Sequence, residues 1–460
     1  MNRVLALSIA GILLVAPVIA WLGSQHVPTA PLRRPNVVLV ILDTLRADRL
    51  GSYGYEHDTS PELDGMARRG VRFEQAIAQS SWTRPSIGSM LTSLPPRTLG
   101  IYQERGQALN ERFVTLSELL KNAGYRTLGA TSNPNINSRF GFDQGFDRYI
   151  DSSVVFSWMA LEPGQKRAVE RPPLLAPEIF KELDEELDQE HPSEQTQPHY
   201  LQINLMENHE WPRHDEIIRP EHAELFSELP PMDRHYGQTI RQVSHDLKAF
   251  TERLRRRPGW EDTLFVVVSD HGEGLGSHPH VPNSSRHGHH LYESHVRVPW
   301  IMFGGSPDLP EGRVVDRPVR LLDLMPTILD LTRVARPSST EGRSLVPLLR
   351  EGGEAPLPRH FFVETEYRAT RKRGVYTDRW EYIEDRAAAN VAEARELQAR
   401  GGGEDGPRTN RLDAHPDRAE ELGQALRAWE ADTPRISPTK PGEEMSPVEE
   451  QQLRALGYLE

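Results

Sequence analysis

The chain has 460 residues, no cysteine and a formal net charge of −13. The lack of cysteine excludes disulfide bonds and thiolate chemistry, and the acidic balance argues against a nucleic-acid partner. The length is sufficient for one large α/β core with a smaller subdomain.

An apolar segment without charged residues spans positions 4–22. It is just long enough to cross a bilayer, while Val18-Ile19-Ala20 offers a small-residue cleavage site. We predict that residues 1–22 are either a signal peptide or a membrane anchor, followed by a linker over 23–35. Both alternatives export the rest of the chain, which would be periplasmic or, with the segment uncleaved, attached to the membrane and facing outside the cytoplasm.

Strand and helix patterns then alternate along the chain. Apolar runs predict strands at 36–42, 71–76, 125–130, 199–205, 263–268 and 298–303, and periodicity with capping signals predicts helices at 62–69, 116–123 and 236–256. Such alternation indicates an α/β fold whose central sheet is mostly parallel, with helices on both faces. We assign this domain to residues 36–350.

Two segments depart from the alternation. Residues 151–198 are irregular, Pro-rich and then acidic, which predicts a surface insertion or lid. A hairpin turning at Asp378-Arg379 predicts a small C-terminal α+β subdomain over 351–460, and within it residues 384–411 are poor in apolar residues, so we expect them to be mobile.

Acidic residues follow two of the predicted strands. Asp43 comes directly after the first, and Asp270 and His271 follow the strand at 263–268. Because parallel sheets place their chemistry beyond the carboxyl ends of the strands, these side chains are expected to meet and bind one divalent metal ion. The single imidazole favours Zn²⁺ or Mn²⁺ over Ca²⁺. The alternative is two unrelated loops with helix-capping acids.

A hydroxyl-rich loop lies between these strands, around Thr83-Arg84-Pro85-Ser86. Ser86 is predicted to cap a short helix over 87–92, which would place Thr83 near a helix N-terminus. A threonine hydroxyl is a poor nucleophile unless a metal or base activates it. We therefore predict that Thr83 is both a metal ligand and the catalytic nucleophile, with an ordinary helix cap as the alternative.

Further landmarks are Thr59-Ser60-Pro61, Gly141-Phe142-Asp143, Gly145-Phe146-Asp147, Leu291-Tyr292-Glu293, Gly342-Arg343-Ser344-Leu345 and residues 453–458. Together with the loops above, they resemble the sulfatase family of the alkaline-phosphatase superfamily. That family's nucleophile is a Cys or Ser oxidised to formylglycine, whereas this chain has Thr83 there and Ile87 in place of an Arg. In this respect it is similar to the lipoteichoic-acid synthase and phosphoethanolamine transferase type, where a Thr attacks phosphorus.

The loop after Asp270 is rich in histidine. His287 and, after another strand, His209 resemble family active-site positions, which implies that they assist the substrate or the leaving group. Substrate contacts are predicted for Arg84, Asn133, His278 and Arg286. For His278 a solvated loop is an equal alternative, and Arg286 would replace the lysine that the family carries in this loop. Glu273 is predicted to orient His271.

These interpretations predict an exported, metal-dependent hydrolase or transferase that cleaves phosphate or sulfate esters through Thr83. The substrate would be an anionic ester linked to a lipid or a glycan. One alternative is a sulfuric ester hydrolase that uses metal-bound water. Another is a catalytically degenerate member that keeps the fold for binding.

Overall fold

The computed structural model describes residues 34–102, 107–151, 174–190, 197–213, 217–279, 281–305, 308–350, 352–390, 394–400 and 410–439. The predicted signal peptide or anchor, nearly all of the predicted linker and the landmark at 453–458 lie outside these residues. Within the described ranges, no helix is both long and apolar enough to cross a membrane.

The larger sheet is nine-stranded in the described part of the chain. Its strands are β1 Val37–Leu42, β2 Gly70–Ile77, β3 Arg126–Thr131, β4 Arg148–Asp151, β5 His199–Leu205, β6 Leu264–Val268, β7 Arg297–Gly304, β8 Arg313–Val315 and β9 Val319–Arg320. Their order is β4-β3-β5-β1-β6-β7-β2-β8, with β9 also beside β2. The pairs from β4 to β6 are parallel and β7 runs antiparallel to both its neighbours, which confirms the predicted mostly parallel sheet.

The helices largely follow the predicted pattern. They are α1 Pro61–Arg68, α2 Thr83–Thr92, α3 Pro96–Leu99, α4 Leu116–Asn122, α5 Ala176–Asp188, α6 Pro231–Arg255, α7 Glu293–Val296, α8 Leu324–Leu331, α9 Val346–Leu349 and α10 Pro416–Asp432. Thr115 and Glu118 form the predicted capping box before α4. Helix α6 begins earlier than predicted because Pro231 fits the first turn, where a missing N–H costs nothing.

Strand β1 shows why the sheet is buried on both faces. Its odd-numbered residues join one core with α2 and α8, and its even-numbered residues join a second core with α1, α5 and α6. None of the six side chains is exposed. A continuous apolar run, rather than an alternating one, is therefore what this position in a covered parallel sheet requires.

A second, four-stranded sheet forms the C-terminal subdomain. It consists of β10 Phe361–Thr365, β11 Lys372–Tyr376, β12 Trp380–Asp385 and β13 Arg395–Ala399, all antiparallel neighbours, with α10 packed against it. The hairpin of β11 and β12 confirms the one predicted. Strand β13 lies inside the segment expected to be mobile, and its Leu397 is buried against α10; the mobility of that segment stays a prediction.

Helix α5 corrects the prediction that residues 151–198 are irregular, whereas the surface insertion or lid predicted there stays a prediction. Ile179, Phe180, Leu183 and Leu187 are buried, and the Phe180 ring stacks on Phe250 with centroids 4.1 Å apart. The remaining face is acidic. Its abundance of acids masked the apolar stripe in the sequence, although the spacing is that of an amphipathic helix.

Candidate active site

The chemistry-bearing residues lie at the carboxyl edge of the larger sheet. Strands β3, β5, β1 and β6 are consecutive and parallel. Asn133 follows β3, His209 follows β5, Asp43 follows β1, and Asp270 with His271 follows β6. The topology thus brings together residues that are up to 228 positions apart in the chain.

Asp43, Asp270 and His271 form a cluster with the geometry of a metal site. Their ligand atoms all lie within 4.8 Å of one another, and all three side chains are completely buried. His271 Nε2 lies 3.3 Å from Asp270 Oδ2 and 3.9 Å from Asp43 Oδ1. Neither of these two oxygens accepts a hydrogen bond from any residue that the structure describes. Buried carboxylate oxygens without donors, facing an imidazole nitrogen, fit a divalent cation.

Burial dominates the pKa values of the three residues in this cluster. Burial, reinforced by the charge of Asp270, raises the pKa of Asp43 to about 6, and burial raises the pKa of Asp270 to about 6. Burial lowers the pKa of His271 to about 4, and the nearby His287 acts in the same direction. His271 is therefore neutral at pH 7, while the two carboxyls are costly to ionise without a cation.

The hydrogen bonds of His271 also fix its tautomer. Its Nδ1 lies 2.9 Å from the carbonyl oxygen of Gly272, which can only accept. The proton of the neutral ring is therefore on Nδ1, and the lone pair of Nε2 points towards the carboxylates. This is the form of histidine that binds metal ions.

Thr83 is the first residue of α2 and its hydroxyl borders this cluster. The buried Oγ1 lies 3.3 Å from His271 Nε2 and 3.5 Å from Asn133 Nδ2. The same Asn133 amide donates to Asp43 Oδ2 at 2.5 Å, while its Oδ1 accepts the Asn135 N–H. Asn133, predicted as a substrate ligand, therefore lies between Asp43 and Thr83 and orients both.

Ser86 does not cap the helix, contrary to the prediction. Helix α2 begins at Thr83, so Ser86 lies within its first turns, and its buried hydroxyl donates to the Asp270 carbonyl oxygen at 2.6 Å. Pro85 is tolerated this early because the first N–H groups of a helix have no partner in the helix. Ser86 thus ties helix α2 to the end of β6.

His287 lies between His271 and His209 and contacts both rings. The ring centroid of His287 is 4.8 Å from that of His271 and 5.2 Å from that of His209. His287 Nδ1 lies 3.2 Å from Glu273 Oε2. Burial would raise the pKa of Glu273, but His287 outweighs it and the pKa falls to about 2. Glu273 therefore orients His287, and the prediction that it orients His271 is wrong.

His209 carries positive charge at neutral pH. Burial opposes that charge, but a 2.8 Å hydrogen bond to Glu210 and the charges of Asp43 and Glu210 outweigh burial, so its pKa rises to about 9. Glu210 was not predicted as a functional residue. The turn that leads into Trp211–Arg213 folds it back onto its neighbour, and no sequence pattern indicates that geometry.

The other predicted substrate ligands, Arg84, His278 and Arg286, each contact an aromatic ring. The Arg84 side chain is buried, donates to the Asn135 carbonyl oxygen at 2.9 Å and lies 3.8 Å from the Phe140 ring centroid. His278 packs against the Tyr292 ring at 4.6 Å. The structure thus engages both in packing. The exposed Arg286 lies 5.8 Å from the ring of Trp211, whose indole N–H donates to Glu273. Substrate contacts by these three residues stay predictions.

Comparisons with known proteins identify the class. The chain belongs to the sulfatase family, because the Sulfatase family model matches residues 35–334. A second model, N-sulphoglucosamine sulphohydrolase, C-terminal, matches residues 287–401. An arylsulfatase of Clostridium perfringens is 25% identical over 387 residues, which cover 69% of this chain and 79% of that protein.

Solved structures show the same fold. One protein, in complex with its substrate D-glucosamine-2-N,6-O-disulfate, has a TM-score of 0.67 at 18% identity and covers 87% of this chain and 98% of its own. A phosphonate monoester hydrolase of Silicibacter pomeroyi has a TM-score of 0.65 at 19% identity, covering 87% and 96%. This chain is a sulfatase-like ester hydrolase. Enzymes of the family generally depend on a divalent metal, typically Ca²⁺, and the cluster of Asp43, Asp270 and His271 fits one.

Proposed function

We propose that the protein is an exported, metal-dependent phosphate-ester hydrolase or transferase with Thr83 as its nucleophile. The observation that carries the proposal is the buried Thr83 hydroxyl, 3.3 Å from the Nε2 of His271 and beside two carboxylates, each with one oxygen that accepts no hydrogen bond from the described residues. A hydroxyl placed against a metal-type cluster is the arrangement expected of an activated nucleophile. Asn133 supports it by donating towards both Thr83 and Asp43.

Asp43, Asp270 and His271 would hold one divalent cation, with Thr83 as a further ligand. Such an ion lowers the pKa of a neighbouring hydroxyl and polarises an ester oxygen. The neutral imidazole favours Zn²⁺ or Mn²⁺, whereas the family typically uses Ca²⁺. Elemental analysis of the purified protein, followed by activity after loading with each ion, decides between them.

His209 and His287 would serve the proton transfers of the reaction. Once its hydroxyl proton has passed to solvent, the ionised Thr83 Oγ1 attacks phosphorus and the bond from phosphorus to the leaving oxygen breaks, while the protonated His209 donates its proton to that oxygen. His209 then takes a proton from water or from an acceptor alcohol, whose oxygen displaces Thr83 from phosphorus. His287, held through Nδ1 by Glu273, presents Nε2 to the substrate or the acceptor.

The choice of phosphate rests on the chemistry of threonine. A formylglycine hydrate can expel sulfate because its carbon carries a second hydroxyl, which threonine lacks. A phospho-threonine, in contrast, is open to attack at phosphorus. We therefore expect phosphate esters, and diesters above all, to be better substrates than sulfate esters. The second candidate is a sulfuric ester hydrolase that uses water as the nucleophile, which the arylsulfatase relative favours.

The substrate alcohol would belong to a glycan or a lipid. The structural neighbour bound to D-glucosamine-2-N,6-O-disulfate favours a glycan. The apolar residues 4–22 support export, with a signal peptide or a membrane anchor as the two forms of the segment.

Activity on 4-nitrophenyl phosphate, bis(4-nitrophenyl) phosphate and 4-nitrophenyl sulfate tests the proposal. Thr83→Ala should lower kcat at least ~10³-fold on the preferred ester, while Thr83→Ser keeps part of the rate. Thr92→Ala is the matched control, because Thr92 lies on the same helix and its buried hydroxyl donates to the Gly88 carbonyl oxygen. Near-wild-type turnover by Thr83→Ala, or cleavage of the sulfate ester alone, would favour water as the nucleophile.

A further inference from the structure

An aromatic pair borders the nucleophile and His287. Trp82 directly precedes Thr83 and is 2% exposed, whereas Tyr367 lies in the loop between β10 and β11 and is partly exposed. Their ring centroids are 5.6 Å apart, with an angle of 51° between the planes. The Tyr367 ring is also 6.3 Å from that of His287. A residue of the C-terminal sheet therefore reaches the edge of the active site.

Gly288 fixes the position of the Tyr367 ring. Its N–H donates to the Ser81 carbonyl oxygen at 2.8 Å, and its own carbonyl oxygen accepts from Thr365 Oγ1 at 2.8 Å. With φ at +82°, Gly288 adopts a conformation that suits glycine, and a Cβ there would lie 2.6 Å from Tyr367 Cδ1. The tyrosine ring thus rests directly on the backbone that joins the nucleophile loop to His287.

A turn from Tyr367 to Thr370 is hydrogen-bonded to His289, in the same loop as His287 and Gly288. Thr370 N–H donates to the Tyr367 carbonyl oxygen at 2.9 Å, and Thr370 Oγ1 lies 3.0 Å from His289 Nδ1. The His289 ring meets Tyr367 edge-on, with centroids 5.2 Å apart. The exposed Arg368 places its guanidinium 5.0 Å from the Tyr367 centroid, so the rim of this surface is positively charged.

We propose that the Tyr367 ring, backed by the buried Trp82, forms an aromatic wall that binds a sugar ring of the substrate alcohol, so that the C-terminal sheet selects the substrate. A pyranose presents an apolar C–H face that packs well on aromatic rings, and a ring held rigid beforehand loses little entropy on binding. The positive rim suits an anionic glycan. This inference rests on the proposed function only in assuming that the ester bond is cleaved at Thr83.

The test compares two esters of the same acid that differ in the alcohol. Methyl glucopyranoside 6-phosphate carries a sugar ring, and ethyl phosphate does not; the corresponding sulfates replace them if sulfate is the ester cleaved. Tyr367→Ala should lower kcat/KM for the sugar ester at least about tenfold and change that for the ethyl ester less than about twofold. Tyr367→Phe keeps the ring and should behave like the wild type.

Phe362→Ala is the control for loosening of the subdomain. Phe362 lies on β10 and stacks on Trp429 at 4.8 Å, away from the wall. Equal losses on both esters for Tyr367→Ala, an unchanged sugar ester, or the same selectivity in Phe362→Ala would each overturn the inference. The ratio between two esters of one acid does not depend on which nucleophile acts, so its outcome is separate from that of the proposed mechanism.

Binding without turnover gives a second readout. Calorimetry with methyl glucopyranoside 6-phosphate compares Thr83→Ala with Thr83→Ala/Tyr367→Ala in the full chain. We expect at least about a tenfold higher Kd for the double variant. Equal affinities would overturn the aromatic wall even if no ester were cleaved.

Discussion

Asp43→Asn should stabilise the metal-free protein. The folded state holds the Asp43 proton with a pKa of about 6, against an ordinary value of 3.8. Between these values the folded chain binds more protons than the unfolded one, so its free energy of unfolding falls as the pH rises. At about 1.36 kcal/mol per pKa unit, ionisation of Asp43 lowers the free energy of unfolding by about 3 kcal/mol at pH 8 and by about half of that at pH 5. Asparagine cannot ionise, so the variant does not suffer this loss of stability as the pH rises.

The assay is urea unfolding of chelator-treated protein, followed by tryptophan fluorescence at pH 8 and pH 5. The variant should unfold at higher urea than the wild type at pH 8, with a smaller gap at pH 5. Addition of the metal should reverse the order, because only the wild type gains stability from binding it. Elemental analysis should find about one ion per wild-type chain, since Asp43, Asp270 and His271 form one cluster, and none in the variant.

Asp147→Asn is a control that should change the stability in the opposite direction. Burial would raise the pKa of Asp147, but hydrogen bonds from Thr127 and the nearby Lys121 outweigh it, so the pKa is lowered. Its ionised form therefore stabilises the fold, and the amide should cost stability at pH 8. The reasoning is refuted if metal-free Asp43→Asn is no more stable than the wild type at pH 8, or if it keeps the full metal content.

Three further outcomes are expected. Glu273→Gln should lower kcat about 10- to 100-fold with unchanged metal content, because it loosens His287 but not the cluster; a loss of metal would contradict this. Gly288→Ala should lower the unfolding free energy by about 1–3 kcal/mol and by more than Gly124→Ala, whose Cβ would meet no atom within 4 Å; equal costs would mean that the Tyr367 contact is unimportant. A reporter fused after Gln25 should be active only outside the cytoplasm, and activity confined to the cytoplasm would end the export hypothesis.

The strands and the metal-type cluster were predictable because two simple rules act on them. Strand β1 is covered on both faces, so its apolar run is continuous, and the ends of parallel neighbours must meet. Those rules predict that Asp43 and Asp270 lie close together, whatever conformation the loops adopt.

The remaining features depend on geometry that sequence patterns do not encode. The pairing of His209 with Glu210 follows from one turn, and the burial of Ser86 from the register of α2 against β6. Tyr367 comes from a different sheet, so no spacing relates it to Thr83. Helix α5 was not predicted because the segment is rich in acidic residues, although four of its apolar residues have the spacing of a buried helix face.

The backbone contacts of Gly288 tie completion of the site to synthesis of the C-terminal sheet. Gly288 bonds to Ser81, far behind it, and to Thr365, 77 positions ahead. Contacts between such distant segments form only after the intervening chain is available and its entropy has been restricted. A nascent chain can therefore bring Asp43, Asp270 and helix α2 together before Tyr367 reaches its place beside His287.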